Sequence, residues 1–353
     1  MHYLNRLYIF FPILSLIIFP FSTTGVKAKS FDINNIEISK PFKNNFDKNK
    51  VIESGFKKAF MELTYKLTKS YDHNKLDSIK LNEIKGMIET FSIQEEKFIN
   101  QVYFVNLGVS FNKKKIFEYL EKRNIYPSQI KREKFLFIPI IIDEDINELR
   151  LFSNNPIYKK WNLNTQSYEL INYILPSEDL EDFNLIKKNL EVIETYDFSE
   201  ITKKYFLNNF IISLIYISNN EIKVLSKMYN KKNEIIKNNS FKNLDLNIDK
   251  DIIYFKNELK NVFEDTWKKI NEINTSIKLS IIIKIKIDDL IKSSQFELDL
   301  DEIELVNDYS IQKFDKEFIF YEILFNGTVK NFINLMDNKN YKLNTEKKIW
   351  TIE

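Results

Sequence analysis

Four carboxylates crowd one short stretch of this chain: Glu178, Asp179, Glu181 and Asp182 in the run PSEDLEDF. Acidic side chains this close can ligate a hard cation or, as a pair, serve as acid and base on a glycosidic bond. Calcium loops place their ligands around a glycine that makes the sharp turn, and this run has none. After Pro176, with Ser177 as cap, the cluster also fits the first turn of a helix, where the dipole favours negative charge. Asp143, Glu144 and Asp145 follow an apolar run and fit a solvated loop. A different chemistry is offered by Pro156, Tyr158 and Trp161, where the Asn155-Pro156 turn sets two aromatics one helical turn apart. Such residues anchor protein partners because they bring large area at low entropic cost. The alternative is that Trp161 plugs the edge of an α/β core.

Other catalytic equipment is absent from the sequence. It has no cysteine, and beyond residue 28 the single histidine is His73, in the polar turn YDHNK, which reads as solvent-exposed. Ser/His/Asp or Cys/His catalysis would run through that residue alone, and one imidazole cannot build a zinc site. Gly55, Gly86, Gly108 and Gly327 stand far apart, so no phosphate-cradling loop or dinucleotide fingerprint exists. No cofactor is expected. The formal charge is +2, and Arg6 and Lys27 supply both surplus charges. The balanced remainder argues against a nucleic-acid partner, which needs a basic face.

The elements that must position these residues follow from periodicity. Met1 to Ala28 reads as a secretory signal: Arg6, an apolar stretch from Leu7 to Phe21, and Val26-Lys27-Ala28 with cleavage after Ala28. Retained instead, the same segment would be an anchor and the chain's membrane contact. Residues 29–133 give a strand, a helix with Ile52, Phe56, Ala59, Phe60, Leu63 and Leu67 on one face, a short helix, a hairpin around Asn100, and a helix capped by Asn112. Phe135 to Ile142 is a continuous apolar run, as in a strand buried on both faces. It either completes a split βαβ order with the first domain or opens the next one. Residues 134–273 form a middle α/β domain with a second strand from Tyr168 to Leu175, a hairpin on Asn219-Asn220, an Asn/Lys-rich linker from Asn230 to Asp249, and a long helix from Ile252 to Ile270. Residues 274–353 repeat the βαββαβ order, with a helix from Asp288 and a strand from Glu302.

Three segments also carry a resemblance: LFIPIII, NPIYKKW and PSEDLEDF, together with the helix GFKKAFMELTYKL and the run ITKKYFLNNFIISLIYI. In order and spacing they are similar to the proteobacterial family called domain of unknown function 2066. The chain departs from that pattern in having Ile157 where the family usually has Trp, and Glu178 where it usually has Gly. The resemblance implies an envelope location and points to no activity.

The fold class expected is α+β, with ferredoxin-like or split-βαβ domains flanking a middle α/β domain behind a signal peptide. The function expected is a non-catalytic periplasmic or envelope-associated scaffold that binds another envelope protein through strand edges or the Trp161 region. The alternatives are a carboxylate-dependent enzyme acting on envelope polymer and a small-molecule or lipid-binding module.

Overall fold

A computed structural model describes residues 31–231, 233–287 and 290–352 as a mixed α+β structure with several sheets. The expected signal, Met1 to Ala28, lies outside the described residues, as do Asp288 and Asp289. The first unit comprises β1 (Asp32–Pro41), α1 (Lys48–Leu67), α2 (Leu81–Met87), β2 (Ile88–Ile99), β3 (Val102–Phe111) and α3 (Lys113–Glu121). Asp47 caps α1 by accepting the Asn49 and Lys50 amides at 2.9 and 3.4 Å. The stripe Phe56, Ala59, Phe60, Leu63 and Leu67 is buried as its spacing demands. The sheet runs β1-β3-β2 and is antiparallel throughout. Its two outer strands both slip register beside Gly108. There the Gln94 amide donates to Asn34 Oδ1 at 3.0 Å across the sheet face. A Cβ on Gly108 would sit 2.8 Å from both groups, so glycine leaves room for this bridge.

The next strand, β4 (Glu133–Asp143), joins the middle unit and not the first sheet, which settles the two assignments the sequence left open. That unit continues with β5 (Glu148–Arg150), α4 (Pro156–Lys160), β6 (Ile171–Ile174), α5 (Leu180–Lys188), α6 (Ser199–Lys203), β7 (Asn209–Ser218), β8 (Glu221–Asn230), β9 (Asn233–Lys242) and α7 (Asp249–Ile270). The sheet runs β5-β4-β7-β8-β9, with β6 also on β4. Alternate β4 residues feed two cores. Phe135, Phe137 and Ile141 face α7 with Trp161, Phe263 and Trp267, while Leu136, Ile138 and Ile140 face α5 and α6 with Ile186 and Ile201. This double burial explains the unbroken apolar run.

Pro139 survives in a central strand because β4's outer side is shared: β6 pairs up to Leu136 and β5 begins at Ile141. In the gap, Asn155 Nδ2 donates to the Pro139 carbonyl at 3.0 Å, where no strand asks for the N–H that proline lacks. The Asn/Lys-rich tract expected as a linker is instead β9, antiparallel to β8. Ile235 and Phe241 lie opposite the buried Met228 and Ile222, and an edge strand needs no more apolar content than this. The turn between β7 and β8 places Asn219 and Asn220 at φ 50° and 61°, the left-handed conformation that asparagine tolerates.

The third unit is β10 (Leu279–Lys286), α8 (Leu290–Glu302), β11 (Val306–Phe314), β12 (Phe318–Phe325), α9 (Val329–Asn338), β13 (Leu343–Asn344) and β14 (Trp350–Ile352). Its sheet order is β11-β12-β10-β14-β13, with β14 parallel to β10. The strand expected from Glu302 begins at Val306, because α8 continues through the buried Leu300. First and third units share one core: Phe117 and Ile125 belong to the same apolar cluster as Ile273 and Val306.

Candidate functional site

Trp161 does not face a partner. It is 0% exposed and lies 4.0 Å from the Phe137 ring and 5.3 Å from that of Tyr173, centroid to centroid. The proposed aromatic surface is therefore corrected to a core plug: α4 is a single short turn, and its C-terminal residue is drawn beneath α7 by apolar burial. Pro156 opens α4, and the Tyr158 hydroxyl donates to the Pro176 carbonyl at 2.7 Å. Asn155, which sequence reading passed over as a turn residue, holds the segment. It is fully buried, accepts the Ile157 and Tyr158 amides at 2.9 and 3.2 Å, and ties them to Pro139.

The acidic run is likewise dispersed into separate structural tasks. Asp179, not Ser177, caps α5, accepting the Glu181 amide at 2.8 Å. Glu178 therefore precedes the helix and accepts the Ser153 amide at 3.1 Å. Asp182 is buried and receives Lys204 at 2.6 Å, and Lys204 also reaches Asp179 at 2.9 Å. That lysine, shared by two carboxylates, holds Asp179 below the usual carboxylate range. Glu181 is exposed. Asp143, expected in a solvated loop, is buried against Arg150. Among the described residues no three His, Cys, Asp or Glu side chains come together as a metal site, and no helix is long and apolar enough to cross a membrane.

The densest polar arrangement lies on α7. Lys256, Lys260, Glu264 and Lys268 recur every fourth residue and are all buried, beside the apolar stripe Phe255, Leu259, Phe263 and Trp267. Only the apolar stripe is anticipated by the sequence reading; the parallel i, i+4 charges were the signal that could have revealed the other. Lys256 donates to the Leu163 carbonyl at 2.8 Å. Lys260 pairs with buried Glu169 at 2.8 Å, and its ammonium lies 5.8 and 5.5 Å from the Trp161 and Tyr173 rings. Glu264 accepts the Leu170 and Ile171 amides, both at 2.9 Å, closing the free end of β6. Burial outweighs those hydrogen bonds and pushes its carboxyl up to about 7. Lys268 donates to the Tyr65 carbonyl of α1 at 2.6 Å, and burial lowers its ammonium.

The same helix face meets the turn holding His73. Asp265 accepts the Ser70 amide at 2.7 Å and the Ser70 hydroxyl at 2.6 Å, and Lys69 pairs with Glu272. His73, expected to be exposed, is half-buried and stacked on Tyr65 at 3.9 Å, with burial and Lys268 lowering its pKa. Ser70, Asp265 and His73 make no relay, because the serine hydroxyl is spent on the aspartate and the imidazole Nε2 has no hydrogen-bond partner.

Two open surfaces bear on binding. An open cavity of about 680 Å³ beside β6 is lined by Arg132, Lys134, Asn162, Gln166, Glu169 and Asn172 among others. On the first sheet, β2 pairs with β3 on one side, and among the described residues no strand pairs with its outer edge along its twelve residues. Phe91 and Ile99 are 50% exposed, Ile93 40% and Phe98 59%, high values for such side chains in a strand. Comparison with protein-family models and with curated proteins gives no match for this chain.

Proposed function

We propose that this protein is a secreted, envelope-associated, non-catalytic scaffold that takes an extended segment of a partner protein onto the free edge of β2. The observation that carries this reading is that edge: along twelve-residue β2, the side turned away from β3 pairs with no strand among the described residues and carries the exposed Phe91, Ile93 and Phe98. An added strand gains main-chain hydrogen bonds along β2 and buries alternate side chains beside Phe91, which already packs on Phe56 of α1 at 5.0 Å. The bulge at Gln94 and the charged run Glu95-Glu96-Lys97 break the edge at its middle, a device that discourages indiscriminate pairing. Catalysis is disfavoured because Glu178, Asp179 and Asp182 are committed to capping, backbone and lysine contacts and His73 has no relay. The antiparallel order β11-β12-β10 supports a ferredoxin-like third domain in its first three strands, from which the parallel β14 departs, and β1-β3-β2 supports a split-βαβ first domain without its last strand.

The envelope assignment and the kinship with domain of unknown function 2066 are part of the same proposal. The motifs that carry the likeness have structural work here: Asn155 bridges Pro139 and α4, Trp161 fills the core, and Asp179 caps α5. Residues with such duties fit a shared fold without a shared active site.

A photo-crosslinking residue placed at Ile93 in the full chain, in its own envelope, tests the proposal. One envelope protein is expected to be captured, and Phe91→Lys with Phe98→Lys to abolish capture while the melting temperature holds. Capture that survives the lysines, or none at position 93, refutes it. A second reading, a small-molecule module, is favoured by the cavity beside β6, whose amides and balanced charges, Arg132 and Lys134 with Glu133 and Glu169, suit a polar ligand. A rise in melting temperature with such a ligand, abolished by Arg132→Ala, would support it.

A further inference from the structure

We infer that the contact between the turn Ser70–Lys75 and α7 is an acid-sensitive latch, closed while His73 is neutral and opened when it takes up a second proton. The turn is held to α7 by Asp265 on Ser70, and just outside both elements Lys69 pairs with Glu272, while the adjoining end of α1 receives Lys268 through the Tyr65 carbonyl. His73 is packed into this contact with its ring 3.9 Å from that of Tyr65 and nearly parallel to it. One ring nitrogen is engaged with the Thr68 carbonyl. The other, Nε2, is buried with no acceptor in reach. In the neutral ring that nitrogen is an unused lone pair, which is tolerable. Once protonated it becomes a buried donor without a partner and a cation beside another cation.

The groups that face the imidazole come from every element around it. α7 presents Lys268, whose ammonium opposes a positive ring, and Asp265, which favours one but already carries both hydrogen bonds from Ser70. The segment after the turn presents Asp77, and α1 presents the Tyr65 ring. Lys268 is itself buried and offset chiefly by Glu264 and Asp265. Acid therefore acts twice at one place: it adds charge at His73 and removes charge at Glu264, leaving Lys268 less compensated. The result is release of the turn from α7, while the apolar core shared by first and third units keeps the remainder assembled.

The chain has no native cysteine, so two spin labels report the latch directly. Asn74→Cys and Asn257→Cys place them on exposed positions of the turn and of α7. In the full chain a single narrow distance is expected at pH 7.5, and at pH 5.0 a longer, broader population enlarged at least tenfold. His73→Asn, which keeps a donor for Thr68 but cannot become cationic, should hold the pH 7.5 distribution at both values. Lys268→Met should shift the opening to lower pH by about one unit, the scale over which a close charge moves a histidine. An unchanged distribution in the parent between the two pH values overturns the inference. Acid opening in His73→Asn equal to the parent's also overturns it. Should His73→Asn not fold, the decision passes to Lys268→Met: opening at the parent's pH refutes the role of the paired cations.

Discussion

Replacing Glu264 with glutamine should make this protein's stability less dependent on pH in the neutral range. The carboxyl is buried on α7, 6% exposed, and is pushed from an ordinary 4.5 to about 7. The difference of roughly 2.5 units, at about 1.4 kcal/mol per unit, is on the order of 3 kcal/mol between the charged and neutral forms. A carboxyl raised in the folded state contributes stability that is fully present below its unfolded value and lost as pH rises through its folded value. The loss attributable to Glu264 thus falls between about pH 4.5 and 7.5, and between pH 5 and 8 it amounts to about 2.5 kcal/mol. Urea unfolding of the parent and Glu264→Gln at pH 5, 6, 7 and 8 isolates this contribution, because other titrating groups, His73 among them, cancel to first order in the difference. Glutamine imitates the neutral acid, so the variant should gain on the parent steadily as pH rises. The reasoning has a clear opponent: the Leu170 and Ile171 amides both donate to this carboxylate at 2.9 Å and favour the ionised form. If those bonds win over burial, the difference between the two proteins stays flat from pH 5 to 8, and burial is refuted as the dominant cause.

Two further outcomes follow from buried polar groups. Asn155→Ala removes the hydrogen bonds to Ile157, Tyr158 and Pro139, and a longer one to Arg150, at a fully buried position, and should destabilise by about 3 kcal/mol in urea unfolding. A loss under about 1 kcal/mol would mean that water replaces the side chain in the gap between β5 and β6. Lys260→Met strands the Glu169 carboxylate and should destabilise by about 3 to 5 kcal/mol, with Glu169→Gln added to it recovering part of the loss. No recovery in the double variant would show that Lys260 matters for its packing on Trp161 and Tyr173 and not for its charge.

How far the sequence could be read depended on whether a residue's task was set by its near neighbours or by the far side of the fold. The stripe of α1, the cap at Asn112, and the Asn219-Asn220 hairpin were legible because each is a local arrangement. β4 was legible as a doubly buried strand, since burial on both faces leaves a continuous apolar run, but its membership was not, since pairing with β7 joins residues far apart in sequence. β9 was misread because Asn and Lys on an outer strand resemble a linker by composition; only the facing Met228 and Ile222 supply the apolar context.

Trp161 and the acidic run failed as sites for one common reason. A charged or aromatic residue looks available until its partner is known, and the partners Lys204, Phe137 and Tyr173 lie in other elements. The charge stripe of α7 shows the converse. Lys256, Lys260, Glu264 and Lys268 have the spacing of a solvated face, yet all four are buried, because three separate segments bring backbone groups or a carboxylate to meet them. A solvated stripe would tolerate substitution; this one is tied to α1, to β6 and to the turn before β6. Its charges therefore report on how those segments sit against α7, which is why Glu264 titrates on this helix and His73 titrates against it.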